Sequence, residues 1–185
     1  MNSSVDSHFE NIIRTYILAK DNNKPELMKS AFSDDAILEI KNKTANINFP
    51  ATTVGLTGIT DTLVTNFNQS FENVYTYCLL DSVQATQSSL SCQWLVLMTE
   101  KVNQNIRIGC GLYDWENNNQ SKCLANKLTI TIEQMVLLPA VDLPAITKWQ
   151  SSLDYPFTES TNIINKMPVI ESLNVIKAYI HQPLD

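Results

Sequence analysis

The chain has 185 residues, 44% of them hydrophobic and 17% charged, with 13 Lys+Arg against 19 Asp+Glu for a net charge of −6. That is long and apolar enough for one self-supporting core, with or without an appendage, and excludes a disordered chain. The acid excess without a Lys/Arg cluster argues against nucleic acid, no run approaches the ~20 apolar residues of a membrane span, and the 4 Gly cannot spell a phosphate-cradling loop.

The first residues, MNSSVDSHFEN, carry no basic stretch ahead of an apolar one, so a cytoplasmic protein is expected. Ser7 and Glu10 have capping-box spacing, and Phe9, Ile12, Ile13, Tyr16 and Ile17 follow on one helical stripe. Asp21-Asn22-Asn23 breaks that helix. Pro25 suits the first turn of a second helix, with Leu27, Met28, Ala31 and Phe32 on its apolar side, which Asp34 and Asp35 are expected to end and turn. A strand over 36–41 and a polar loop lead to a third helix, expected to start at Gly58 and to bury Ile59, Leu63, Val64, Phe67 and Phe71.

From Val74 the hydrophobic period changes from about 3.6 to 2. Strands are predicted over 74–83, 90–100, 106–116 and 128–138, separated by Gln, Ser and Asn clusters, as in an antiparallel meander. Helices first and sheet second is the order of an α+β fold, with helices on one face of a curved sheet. Past Leu138 the prolines concentrate. Residues 1–138 are therefore read as one α+β domain, and 139–185 as an extension with short helices, the clearest over 168–180, packed on the domain or on a partner subunit.

The pattern Tyr16-x-x-Ala19…Asp21…Leu27-x-x-x-x-Phe32-x-x-Asp35-Ala36, followed by a strand, a glycine-led helix and four long strands, resembles the NTF2-like (SnoaL-like) superfamily over roughly residues 8–138. The resemblance implies a cone, in which a strongly bent sheet wraps a long N-terminal helix around a pocket, and a homodimer formed through the sheet. Its members include isomerases, cyclases, dehydratases and non-catalytic modules, so fold alone leaves activity open. In the ketosteroid isomerase branch a helix tyrosine donates to the substrate oxygen, and Tyr16 falls on it. The base of that branch falls on Ile40, with Glu39 beside it, and its second acid falls near Gly109 to Gly111. Two of three roles are missing, so that mechanism is not expected.

Four further residues are singled out. In the strand 106–116 the even positions Ile106, Ile108, Cys110 and Leu112 are apolar and Asp114 continues their line; a buried carboxylate there would have its pKa raised toward acid–base use. SnoaL-type cyclases place an aspartate on a late strand, and Asp114 is its nearest counterpart; the competing reading is a strand end in solvent. Tyr16 reads either as a pocket donor or as a core aromatic. Trp94 shares a face with Cys92, Val96 and Met98, as core or pocket wall, and Gln134 follows Leu128, Ile130 and Ile132 as a polar contact on an apolar face. The expected ligand is a small hydrophobic molecule held by Trp94, Gln134 and Ile40, with Asp114 and Tyr16 as catalytic candidates and no cofactor. The expected activity is that of a SnoaL-type lyase, isomerase or cyclase, against a non-catalytic binding or dimeric scaffold module. Cysteines at 78, 92, 110 and 123 and histidines at 8 and 181 form no metal or triad spacing.

Overall fold

A computed structural model of the chain describes residues 5–118 and 123–182. The first apolar stripe becomes α1 (Val5–Asp21), with Phe9, Ile12, Ile13, Tyr16 and Ile17 all buried. The capping box on Ser7 lies outside the described side chains. Asn23, with φ 51°, turns the chain, and Pro25–Ser30 then forms a 3-10 turn rather than an α-helix reaching Ser33. Six residues hold few i→i−4 bonds, yet this tighter turn still buries Met28. Asp34 and Asp35 do not end a helix. They are exposed within β1 (Phe32–Asn42), at a shift of register against β7 between Phe32 and Ile37.

After β2 (Thr52–Val54), Gly55 rather than Gly58 starts the next helical stretch. Its φ of 89° lies in the left-handed region that glycine enters freely, and its N–H donates to the Ala36 carbonyl at 2.8 Å. The stretch runs through α2 (Leu56–Thr60), a π-helical turn over Asp61–Thr65 and α3 (Phe67–Ser70), burying Ile59, Leu63, Val64 and Phe67.

The remaining strands are β3 (Phe71–Leu79), β4 (Gln84–Ala85), β5 (Ser89–Glu100), β6 (Ile106–Glu116), β7 (Ala125–Leu138) and β8 (Phe157–Thr158). They join β1 and β2 in an eight-stranded sheet of order β2-β1-β7-β6-β5-β3-β8, with β4 beside β5. The sheet is mixed: β1 runs parallel to β7 and β8 parallel to β3. Where β6 meets β7 the register slips, Cys110 facing Gln134 but Gly111 facing Ile132, so Glu133 is the extra residue of a bulge. Glycine is required there, because a Cβ on Gly111 would lie 1.8 Å from the Thr131 carbonyl oxygen.

Two hydrophobic cores flank this one sheet. The inner face packs on α1 and the helices over 56–70 through Leu38, Ile40, Cys92, Trp94, Val96, Tyr113, Trp115, Leu128 and Ile130. The outer face presents Tyr77, Leu79, Leu95, Leu97, Ile106, Ile108 and Cys110. It is covered by the chain itself, through α4 (Leu143–Ser151), α5 (Ser160–Lys166) and α6 (Asn174–Ile180). The helix expected over 168–180 is shorter, with a 3-10 turn at Glu171–Leu173 leading into α6. Ile146, Trp149, Ile163, Leu173, Ile176 and Ile180 close the outer core; the Trp149 indole N–H donates to the Ile163 carbonyl at 3.1 Å. This part of the outer face, which the resemblance would give to a partner subunit, is occupied by residues 143–180. No helix among the described residues is long and apolar enough to cross a membrane.

Candidate functional site

The inner core does not fill completely. Between α1, the helices over 56–70, the sheet and the loop after β1 lies a cavity of about 40 Å³, room for roughly three waters at 10–15 Å³ each. Its wall is apolar: Ile40, Leu63, Phe67, Val96, Met98, Ile130, Ile132 and Met135, with Ile47 and Phe49 from the loop. Tyr16, Lys20, Tyr113 and Trp94 are the lining residues that carry a polar group.

Tyr16 sits mid-helix on the buried stripe, 1% exposed, with its ring edge-on to Phe32, Tyr113 and Trp115. Tyr113 is buried as well, and its ring centroid lies 5.9 Å from that of Tyr16. Loss of water around a phenolate raises the pKa of both far above the ordinary range, so both stay neutral. Trp94 stacks on Tyr113 with ring centroids 5.5 Å apart, and its indole N–H is buried without an acceptor.

One turn after Tyr16, Lys20 ends the same stripe and is only 7% exposed. Its ammonium donates to Thr76 Oγ1 at 2.9 Å and to Asp21 Oδ1 at 3.3 Å, and lies 4.5 Å from the centroid of the Phe67 ring. Asp21 in turn accepts from the Thr76 backbone N–H at 2.6 Å, the Thr76 hydroxyl at 2.8 Å and the Tyr155 hydroxyl at 2.9 Å. Asn68 donates to the Lys20 carbonyl at 2.9 Å, tying α3 to the end of α1. Burial lowers the pKa of Lys20 and raises that of Asp21, and the attraction between them opposes both shifts. No Asp or Glu lines the cavity, and no cluster of three or more metal-ligating side chains occurs among the described residues.

The fold has solved counterparts over about 70% of the chain. A hexachlorocyclohexane dehydrochlorinase, LinA-type3 from Novosphingobium barchaimii LL02, matches at a TM-score of 0.55 and 15% identity over 72% of this chain and 89% of its own. An NTF2-like superfamily protein from Salmonella enterica serovar Typhimurium LT2 matches at 0.55 and 12% over 72% and 94%. A computationally designed 17-OHP binder matches at 0.55 and 10% over 70% and 98%. The chain has an NTF2-like α+β fold. No family model matches the chain, and neither does any curated protein. Identities this low carry the fold and not an activity, and the NTF2-like scaffold serves an enzyme and a designed binder alike.

Within the NTF2-like cone, Tyr16, Ile40 and Trp94 of the expected site residues meet at the cavity, and Asp114 and Gln134 do not. Asp114 points to the outer face, where it accepts from Ser91 Oγ at 2.5 Å. The even face of β6 is apolar because the extension buries it. The inner face of β6 carries Gly109, Gly111, Tyr113 and Trp115, and two missing side chains hide its apolar character in the sequence. Gln134 sits beyond the bulge at Glu133, which shifts its parity away from Leu128, Ile130 and Ile132; Met135 takes the inner place instead. Lys20 and Tyr113 were missed. The signal for Lys20 was present, four residues after Tyr16 and three after Ile17 on the buried stripe.

Proposed function

We propose that this chain binds a small, mostly apolar molecule inside the cone, as a pocket protein without a carboxylate acid–base pair. The observation that supports it is the cavity itself: an apolar wall interrupted by a few buried polar groups, the usual make-up of a small-molecule site. Lyase, isomerase or cyclase chemistry through Asp114 and Tyr16 is not carried forward, since Asp114 lies across the sheet from Tyr16 and a base must reach the proton it takes. Thermal-shift titration with single-ring apolar compounds tests the reading. The melting temperature is expected to rise with ligand concentration, as mass action requires of a native-state ligand, and the rise is expected to vanish in Ile40→Phe, which places a ring in the cavity wall. No rise with any compound, or an equal rise in the variant, would contradict it.

A further inference from the structure

A cavity of about 40 Å³ is far smaller than the roughly 150 Å³ of an apolar cavity that takes up benzene, so a ring enters only if part of the wall moves. Much of that wall is fixed. Ile40, Trp94, Val96, Tyr113 and Ile130 stand on strands that are paired with their neighbours. The loop over 43–51 is different: it carries Ile47 and Phe49, both half-buried wall residues, and belongs to no strand. β1 accompanies β7 only as far as Asn42 opposite Ile132. Beyond that point the edge of β7 has no strand on this side, and the loop lies along it instead.

Backbone bonds hold the two ends of this loop: the Lys43 N–H donates to the Ile132 carbonyl at 3.0 Å, and the Ala51 carbonyl accepts from the Ile40 N–H at 2.9 Å. Between those ends the bonds run through side chains. Asn42 Nδ2 donates to the Ile47 carbonyl at 2.6 Å, Asn46 Nδ2 to the Met135 carbonyl at 2.8 Å, and Arg107 Nη1 to the Asn46 carbonyl. Arg107 stands near the start of β6, in the alternate set of Gly109, Gly111 and Tyr113. Its Nε donates to Glu100 Oε1 at 2.5 Å, both side chains being 16% exposed, which fixes the guanidinium. Two side-chain bonds, from Asn46 and from Arg107, thus fasten the middle of the loop to β7 and β6, and both can open without breaking a strand pair. Resting on the binding reading above, we propose that residues 43–51 are the gate of the cavity, latched by Arg107 and Asn46, and that this latch sets the size of apolar molecule admitted. A molecule that fits the resting cavity leaves the latch closed. A larger one holds the gate displaced and binds against the latch.

Two apolar probes of different size test the latch: xenon, a single atom, and benzene, each titrated by NMR into the wild type, Arg107→Met and Asn46→Ala. Arg107→Met keeps the hydrocarbon stem and removes the guanidinium. Asn46 is exposed, so Asn46→Ala reports on the latch should the Arg107 variant not fold. In each variant benzene is expected to bind at least fivefold more tightly than in the wild type, while xenon stays within twofold. A merely structural role for either residue would not change this ratio. Affinities that stay within twofold for both probes, or that change together, would overturn the gate and leave the binding reading standing. A fall in benzene affinity alone would overturn it as well, since the loop would then clasp the ring rather than oppose its entry. Binding of neither probe by any of the three proteins would overturn both readings.

Discussion

The two faces of the sheet are packed by different means. On the inner face, α1 and the short helices over 56–70 leave a cavity edged by Tyr16, Lys20, Trp94 and Tyr113. On the outer face, the extension supplies Trp149, Ile163, Ile176 and Ile180 to its own core, and the polar groups found there are paired: the Tyr77 hydroxyl donates to the Gln150 carbonyl at 3.3 Å and the Gln93 amide to the Gln182 carbonyl at 3.2 Å. Spare donors lie on one side and satisfied ones on the other. The difference is why the proposed binding is placed on the inner face and stability on the outer.

Raising the pH attacks both faces at once and is the largest expected effect. Burial pushes the Tyr77 phenol from 10.0 up to about 12 and the Cys110 thiol from 9.0 up to about 12, and raises Tyr16 and Tyr113 as well; the Cys78 thiol is raised by its hydrogen bond with Cys92 and by burial. A folded-state pKa above the unfolded one stabilises below the unfolded value and loses that contribution as pH climbs through the folded value. The Tyr77 contribution is thus intact below pH 10 and gone above about 12. Thermal melts are expected to worsen steeply between those values, and a melting temperature unchanged at pH 12 would contradict the burial of these groups.

Trp149→Ala separates the faces. Removing a buried indole and its hydrogen bond is expected to cost about 4 kcal/mol in urea unfolding, while affinity for the cavity ligand per folded molecule stays within twofold. A selective loss of ligand affinity would show that the two faces are not independent. Asp21→Asn acts on the inner face, leaving the Lys20 charge buried without its counter-ion; it is expected to cost about 3 kcal/mol and also to weaken ligand binding. Asp114→Asn is the smallest change. Its Ser91 contact is half-buried on the outer face, so unfolding is expected to shift by less than about 1 kcal/mol and ligand binding not at all.

The order of elements was legible in the sequence, because helical and strand periods differ and each buried one side. Which side of a strand faced the cone was not legible in β6. A face is normally known by its apolar residues, but here both faces are buried, and Gly109 and Gly111 empty the inner one. The same limit misplaced Gln134, since a one-residue bulge leaves no mark in an alternating pattern. The start at Gly55 and the 3-10 turn at Pro25 depend on backbone geometry that spacing alone does not encode. Trp94 and Tyr16 were placed by stripes that the structure keeps and Ile40 by the family resemblance, and Lys20 stood on one of those stripes.

The most direct test of binding on the inner face is methyl-detected NMR of the folded protein titrated with a single-ring apolar compound. The Ile40, Ile130, Ile132 and Met135 methyl signals are expected to shift together and saturably, while those of Ile146, Ile163 and Ile176 stay in place. Shifts confined to the outer-face methyls, or none at saturating ligand, would contradict the assignment of the cavity as the binding site.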